Sequence, residues 1–88
     1  MDIQNIKEQI RQYIAKNLLF SGNNFKYSDD ASFLEEGIVD SLGIMDLTMY
    51  IQETYKVIIN DAELTPDNFD SVNKVAQYIQ FKLGKPVH

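Results

Sequence analysis

From Asp2 onward the apolar residues Ile3, Ile6, Ile10, Tyr13, Ile14 and Leu18 recur at intervals of mostly three and four, with Gln4, Lys7, Glu8, Arg11, Gln12 and Lys16 between them. That period gathers the apolar side chains on one face and predicts a helix over about 2–18 with a buried stripe. Asp2 is placed to cap its first turn. Ser21-Gly22-Asn23-Asn24 ends the pattern, and no period returns before Gly37. Phe25, Tyr27, Phe33 and Leu34 are scattered through this stretch, which predicts a long first loop lying across the core, with room for a helical turn around Ala31 to Glu35. A second helix is expected from Ser41 to about Tyr55. Val57-Ile58-Ile59 is β-branched but lacks a partner strand, and reads as an extended, buried connection. Thr65 before Pro66 predicts a short helix over 66–69. Asp70-Ser71 then caps a last helix over 71–83, whose Val72, Val75, Ala76, Ile79 and Leu83 share one stripe. Gly84 stops it and Pro86 prevents its continuation. The expected architecture is all-α: a bundle of three main helices plus one short helix, forming one domain over 1–84 with a flexible tail at 85–88.

The second helix departs from a simple pattern. At about 100° per residue, Ile44, Leu47, Ile51 and Tyr55 gather on one side. Leu42, Met45 and Met49 gather nearly opposite, together with Asp46 and Glu53. A surface helix in a bundle needs only one apolar stripe. The first stripe reads as core. The second is either a docking surface, for which adaptable methionine side chains are suited, or a second buried face. Periodicity leaves both open. Ser41 stands at the N-terminal end of this second stripe. It is expected to cap the helix, a role worth about 1 kcal/mol over Ala. A helix start also tolerates an anion such as a phosphate ester, because free N–H groups and the helix dipole point there.

Composition narrows the chemistry. Eighty-eight residues make one small domain, and 44% hydrophobic content suits a folded one. With no cysteine, there is neither a disulfide framework nor a thiolate metal site. No leader pattern follows Met1 and no long apolar run occurs, so a cytoplasmic location with no membrane association is expected. The 13 acidic and 8 basic residues give a net charge of −5, which repels nucleic acid and favours partners with basic surfaces. The single histidine is His88, at the end of the chain. No catalytic residue and no metal site is therefore assigned, and the chain is not expected to be an enzyme. Asp40 has no histidine through which to activate Ser41, so any modification of Ser41 must be performed by another protein.

The run Asp30-Ala31-Ser32-Phe33-Leu34-Glu35-Glu36-Gly37-Ile38-Val39-Asp40-Ser41-Leu42 resembles the approach to the attachment site of the acyl and peptidyl carrier proteins. Their hallmark is a serine in an Asp-Ser-Leu triplet at the start of the second helix, matched here by Asp40-Ser41-Leu42. The likeness extends over nearly the whole chain, including the acidic balance, the helix order and the ending Leu64-Thr65-Pro66-Asp67-Asn68-Phe69-Asp70-Ser71-Val72. It implies an acyl-carrier-like fold and a 4′-phosphopantetheine arm on Ser41, installed from coenzyme A by a phosphopantetheinyl transferase. The arm would hold acyl or aminoacyl groups as thioesters for fatty-acid, polyketide, nonribosomal-peptide or related biosynthesis. Asp40, Leu42, Met45, Asp46, Met49 and Glu53 would meet the transferase, an acyl- or aminoacyl-loading enzyme and downstream enzymes, with the carrier a monomer.

One departure concerns the subtype. Fatty-acid carriers usually place an acid directly after the triplet, where this chain has Gly43, and the helix holds only Asp46 and Glu53. The Ile38-Val39-Asp40-Ser41 approach is more similar to specialised acyl or aminoacyl carriers. The bare Gly43 either leaves room near the arm or marks simple drift. The competing reading is a non-catalytic helical adaptor in which Ser41 is only a helix N-cap.

Overall fold

A computed structural model describes residues 2–20 and 25–84. Helix α1 spans Ile3–Tyr13 and runs on into a wider π-helical turn, Ile14–Leu18. Helix α2 is Ser41–Tyr55, a single 3₁₀ turn covers Asp61–Glu63, α3 is Pro66–Phe69 and α4 is Val72–Gly84. No strand occurs among the described residues, so the architecture is the expected all-α bundle. The turn read at Ser21–Asn24, and the tail with Pro86 and His88, lie outside the described residues.

The periodic stripes make the core. Ile6, Ile10 and Ile14 of the first helical segment meet Leu47 and Ile51 of α2, Phe69 of α3, and Val72, Val75 and Ile79 of α4, all fully buried. The π turn closes on a Leu19 N–H to Ile14 carbonyl bond of 2.9 Å, and it sets Leu18 and Leu19 partly against the core. Two end signals act differently from expectation. Asp2 and Thr65 sit at N-cap positions, but neither side chain bonds a free amide of its helix. Of the Asp70-Ser71 pair only Ser71 caps α4, accepting the Lys74 N–H at 3.1 Å. Two apolar residues also differ: Ile58 is exposed in the middle of its extended connection, and Leu83 is exposed at the end of α4.

The long first loop is anchored throughout its described part. Arg11 grips Asp29 bidentately at 2.8 and 2.6 Å, tying the loop to α1. Asn73 donates its backbone N–H to the Asp29 carbonyl at 3.0 Å, tying the same point to α4. A single helical turn then forms at Ser32–Glu36, where the Glu36 N–H reaches the Ser32 carbonyl at 3.0 Å. It ends as many helices do. Gly37 adopts φ +66°, its N–H bonds the Leu34 carbonyl, and the Ile38 N–H bonds the Phe33 carbonyl at 2.8 Å. This is the Schellman pattern, with a left-handed residue satisfying the last carbonyls and an apolar contact across it. Phe33, Ile38 and Val39 drop into the core as a result, and the chain is delivered to the start of α2.

Candidate functional site

Helix α2 begins at Ser41 as expected, but its cap lies one residue earlier than the sequence reading placed it. Asp40 is in extended conformation (φ −90°, ψ −177°) and its Oδ1 accepts the Gly43 N–H at 2.8 Å. Asp40 is thus the N-cap and Ser41 the first helical residue, which corrects the expectation that Ser41 caps. Both residue types are strong caps, so pattern alone does not separate them. The shift matters chemically. The exposed Ser41 hydroxyl is left without a hydrogen-bond partner among the described residues.

Gly43 also gains a structural reason. A Cβ built there would stand 2.5 Å from Val39 Cγ1 and 3.3 Å from Asp40 Oδ1. Gly43 faces a polar depression of about 210 Å³ that it shares with Leu18, Ile38 and Val39, on a side of the junction separate from the Ser41 cleft. Its missing side chain makes room for the loop packed against the helix. It does not make room beside Ser41.

The two stripes of α2 separate cleanly. Leu47 and Ile51 are 0% exposed, whereas Leu42, Met45 and Met49 are 80%, 51% and 58% exposed. The second stripe is therefore open surface, and the alternative of a doubly buried helix is excluded. Asp46 and Glu53 are exposed with it. Asp46 also lies close enough to the Tyr13 hydroxyl for its charge to act on it. Burial first, and Asp46 second, push the Tyr13 pKa up to about 12. Tyr13 stacks on Tyr50 with ring centroids 4.1 Å apart. This pair was missed in the sequence, where Tyr13 counted only as a stripe member.

A cleft of about 220 Å³ opens beside Ser41. Its walls are Leu34 from the loop, Ile44 and Met45 from α2, Leu64, and Pro66 and Phe69 from α3, with Asp70 at one edge. No periodic signal points to it, because its lining comes from three separate stretches of the chain. No cluster of three or more His, Cys, Asp or Glu able to hold a metal occurs among the described residues. An accessible, unbonded hydroxyl at a helix start, with an apolar cleft alongside, fits a covalently attached group. The Asp40 carboxylate, engaged with the Gly43 N–H, is arranged as a cap and not as a base for that hydroxyl.

Residues 8–79 match a family model described as phosphopantetheine attachment site. The chain belongs to this family. It is a carrier, not an enzyme, and its prosthetic group is a covalent 4′-phosphopantetheine. Polyketide-8 synthase acyl carrier protein 2 of Streptomyces avermitilis is 33% identical over 78 residues, covering 89% of this chain and 85% of its own. The acyl carrier protein of Buchnera aphidicola subsp. Schizaphis graminum is 31% identical over 83 residues, covering 94% of this chain and 100% of its own. The D-alanyl carrier protein of Lactobacillus delbrueckii subsp. bulgaricus is 28% identical over 80 residues, covering 91% and 92%. Among the described residues no helix is long and apolar enough to cross a membrane.

Proposed function

We propose that Ser41 Oγ carries the 4′-phosphopantetheine arm and that the chain is a specialised acyl or aminoacyl carrier. The observation that carries this reading is the state of Ser41. It is exposed and unbonded because Asp40 has taken over the cap, and it lies at the head of the exposed Leu42–Met45–Met49 stripe. When attached, the arm supplies a terminal thiol on which cargo is held as a thioester, which is how a cysteine-free chain supports thiol chemistry. The chain's own residues present, orient and dock. Leu42, Met45 and Met49 offer an adaptable apolar contact, and Asp40, Asp46 and Glu53 give it negative charge. Such charge speeds encounter more than it tightens binding, which suits a carrier visiting a phosphopantetheinyl transferase, a loading enzyme and downstream enzymes in turn. The specialised subtype is supported by the sparse acidity of α2, which holds only Asp46 and Glu53.

The test is loading. Incubation of the apo protein with coenzyme A and a broad-specificity transferase should add one phosphopantetheine by intact mass, and Ser41→Ala should add none. Because Ser41 is not the cap, Ser41→Ala should change unfolding free energy by less than about 0.5 kcal/mol. A helical adaptor that carries no arm predicts no mass gain in the wild type. A mass gain that survives Ser41→Ala would sink the assignment.

A further inference from the structure

The second half of the long loop hangs on one residue at the corner between α3 and α4. The Asp70 carboxylate accepts the Ser32 hydroxyl through one oxygen and the Leu34 N–H, at 3.0 Å, through the other. The Asp70 carbonyl accepts the Phe33 N–H at 2.8 Å. Three consecutive loop residues are thereby fastened to a single residue 36 to 38 positions away from two of them. Both ends of this clamp stand at the cleft beside Ser41, with Leu34 on the loop side and Asp70 at the corner.

The walls of the cleft are not equally secure. Ile44 and Met45 ride on α2, which is locked by the buried Leu47 and Ile51. Phe69 is fully buried. Leu34 is 46% exposed, and its neighbour Phe33 buries the ring that anchors the turn. What fixes Leu34 toward the cleft is its own N–H on Asp70, together with the Ser32 hydroxyl two residues earlier. A carboxylate is a strong acceptor, and it satisfies two donors here with its two oxygens.

We propose that Asp70 is a positioning residue for the carrier's cargo, clamping Ser32 and Leu34 so that Leu34 forms the loop-side wall sheltering an alkyl acyl group held from Ser41. The proposal rests on Ser41 being the attachment point. The apolar lining favours an alkyl chain over a charged aminoacyl group, whose ammonium would lose water without gaining a partner.

The first measurement needs no cargo. Amide hydrogen exchange on the apo protein should show Leu34 exchanging about tenfold faster in Asp70→Ala than in wild type, with the Ile10 and Ile79 amides unchanged. An unchanged Leu34 rate overturns the clamp. The second measurement loads the proteins from acetyl- or octanoyl-coenzyme A and challenges the thioester with hydroxylamine. Hydroxylamine attacks the thioester carbonyl, forms the hydroxamate and releases the arm's thiol. Octanoyl cleavage should be several-fold faster in Asp70→Ala than in wild type, while acetyl cleavage stays the same. Equal octanoyl rates overturn the sheltering role. If every amide of Asp70→Ala exchanges fast, Ser32→Ala, which keeps the Leu34 bond, should speed exchange over 32–36 by a smaller factor, and wild-type rates there overturn the clamp. A wild type that takes no arm fails the carrier reading instead, and the exchange result still decides the clamp.

Discussion

Gly43 is the residue where two physical rules oppose each other. Helix propensity favours Ala over Gly in α2 by up to about 1 kcal/mol. The geometry opposes this, since the new Cβ would stand 2.5 Å from Val39 Cγ1. Val39 is buried and β-branched, so it has little rotamer freedom with which to move aside. Overpacking of this kind costs roughly 1–3 kcal/mol. Gly43→Ala is therefore expected to lower stability by about 1 kcal/mol in denaturant unfolding, and Val39→Ala in that background should cost less than it does in wild type. A more stable Gly43→Ala would show that Val39 yields freely. The same turn shows what one residue of sequence can and cannot reveal. Asp40, Ser41 and Leu42 could be read as a candidate site only through their context, the run leading into them and the helix order of the whole chain, because the triplet itself is made of common residues. Which of Asp40 and Ser41 caps was not, because both side chains suit the role and the choice depends on how Val39 and Gly43 pack behind them.

At the level of elements, α2 was the most readable part of the chain. Its 3.6-residue period separated two apolar stripes, and burial then divided them into Leu47 and Ile51 inside and Leu42, Met45 and Met49 outside. Period alone could not make that division, because exposure depends on which elements pack alongside. The loop was the least readable. Its order comes from long-range bonds, Arg11 to Asp29 and Asp70 to Ser32 and Leu34, which leave no repeat in the sequence. Among the described loop residues the local signals are Gly37, left-handed at the end of a helical turn, and the serines Ser28 and Ser32, whose hydroxyls accept the Asp30 and Glu35 N–H groups. The end of α2 offers a test of element-level strain. Lys56 sits at its C-terminus with φ 58° and ψ 39°, a left-handed conformation that costs a residue with a Cβ about 1 kcal/mol. Lys56→Gly should therefore be more stable by about 0.5–1 kcal/mol, raising Tm by roughly 3–6 °C for a domain of this size. An unchanged or lower Tm in thermal unfolding would show that Lys56 is unstrained.

Across the whole molecule, two carboxylates join segments that apolar packing leaves apart, and both make stability depend on pH. Glu63 accepts the Asn60 N–H at 3.1 Å, the Tyr78 hydroxyl at 3.0 Å and Lys82 Nζ at 3.2 Å, so it pins the connection after α2 to α4. The Asn60 N–H, with smaller help from Lys82 and Tyr78, holds the Glu63 carboxyl below its ordinary range. The Arg11 guanidinium does the same for Asp29, so the loop's tie to α1 also needs a charged acid. A carboxyl with a lowered folded pKa contributes stability above its unfolded value and loses it as pH falls through the folded one. The tyrosines act in the opposite direction. Burial pushes Tyr13 and Tyr55 up to about 12, so their contribution is complete below about 10 and is lost as pH climbs from 10 toward 12. Urea midpoints should accordingly be flat between about pH 6 and 9, and fall on the acid side once pH drops below roughly 4.5. Glu63→Gln should lower the midpoint at pH 7 and make the acid limb shallower, since one of the two linked protons is gone. If Glu63→Gln instead keeps the wild-type slope below pH 4.5, the acid limb belongs to Asp29 alone, and the Asn60–Glu63–Tyr78 junction contributes nothing that titrates.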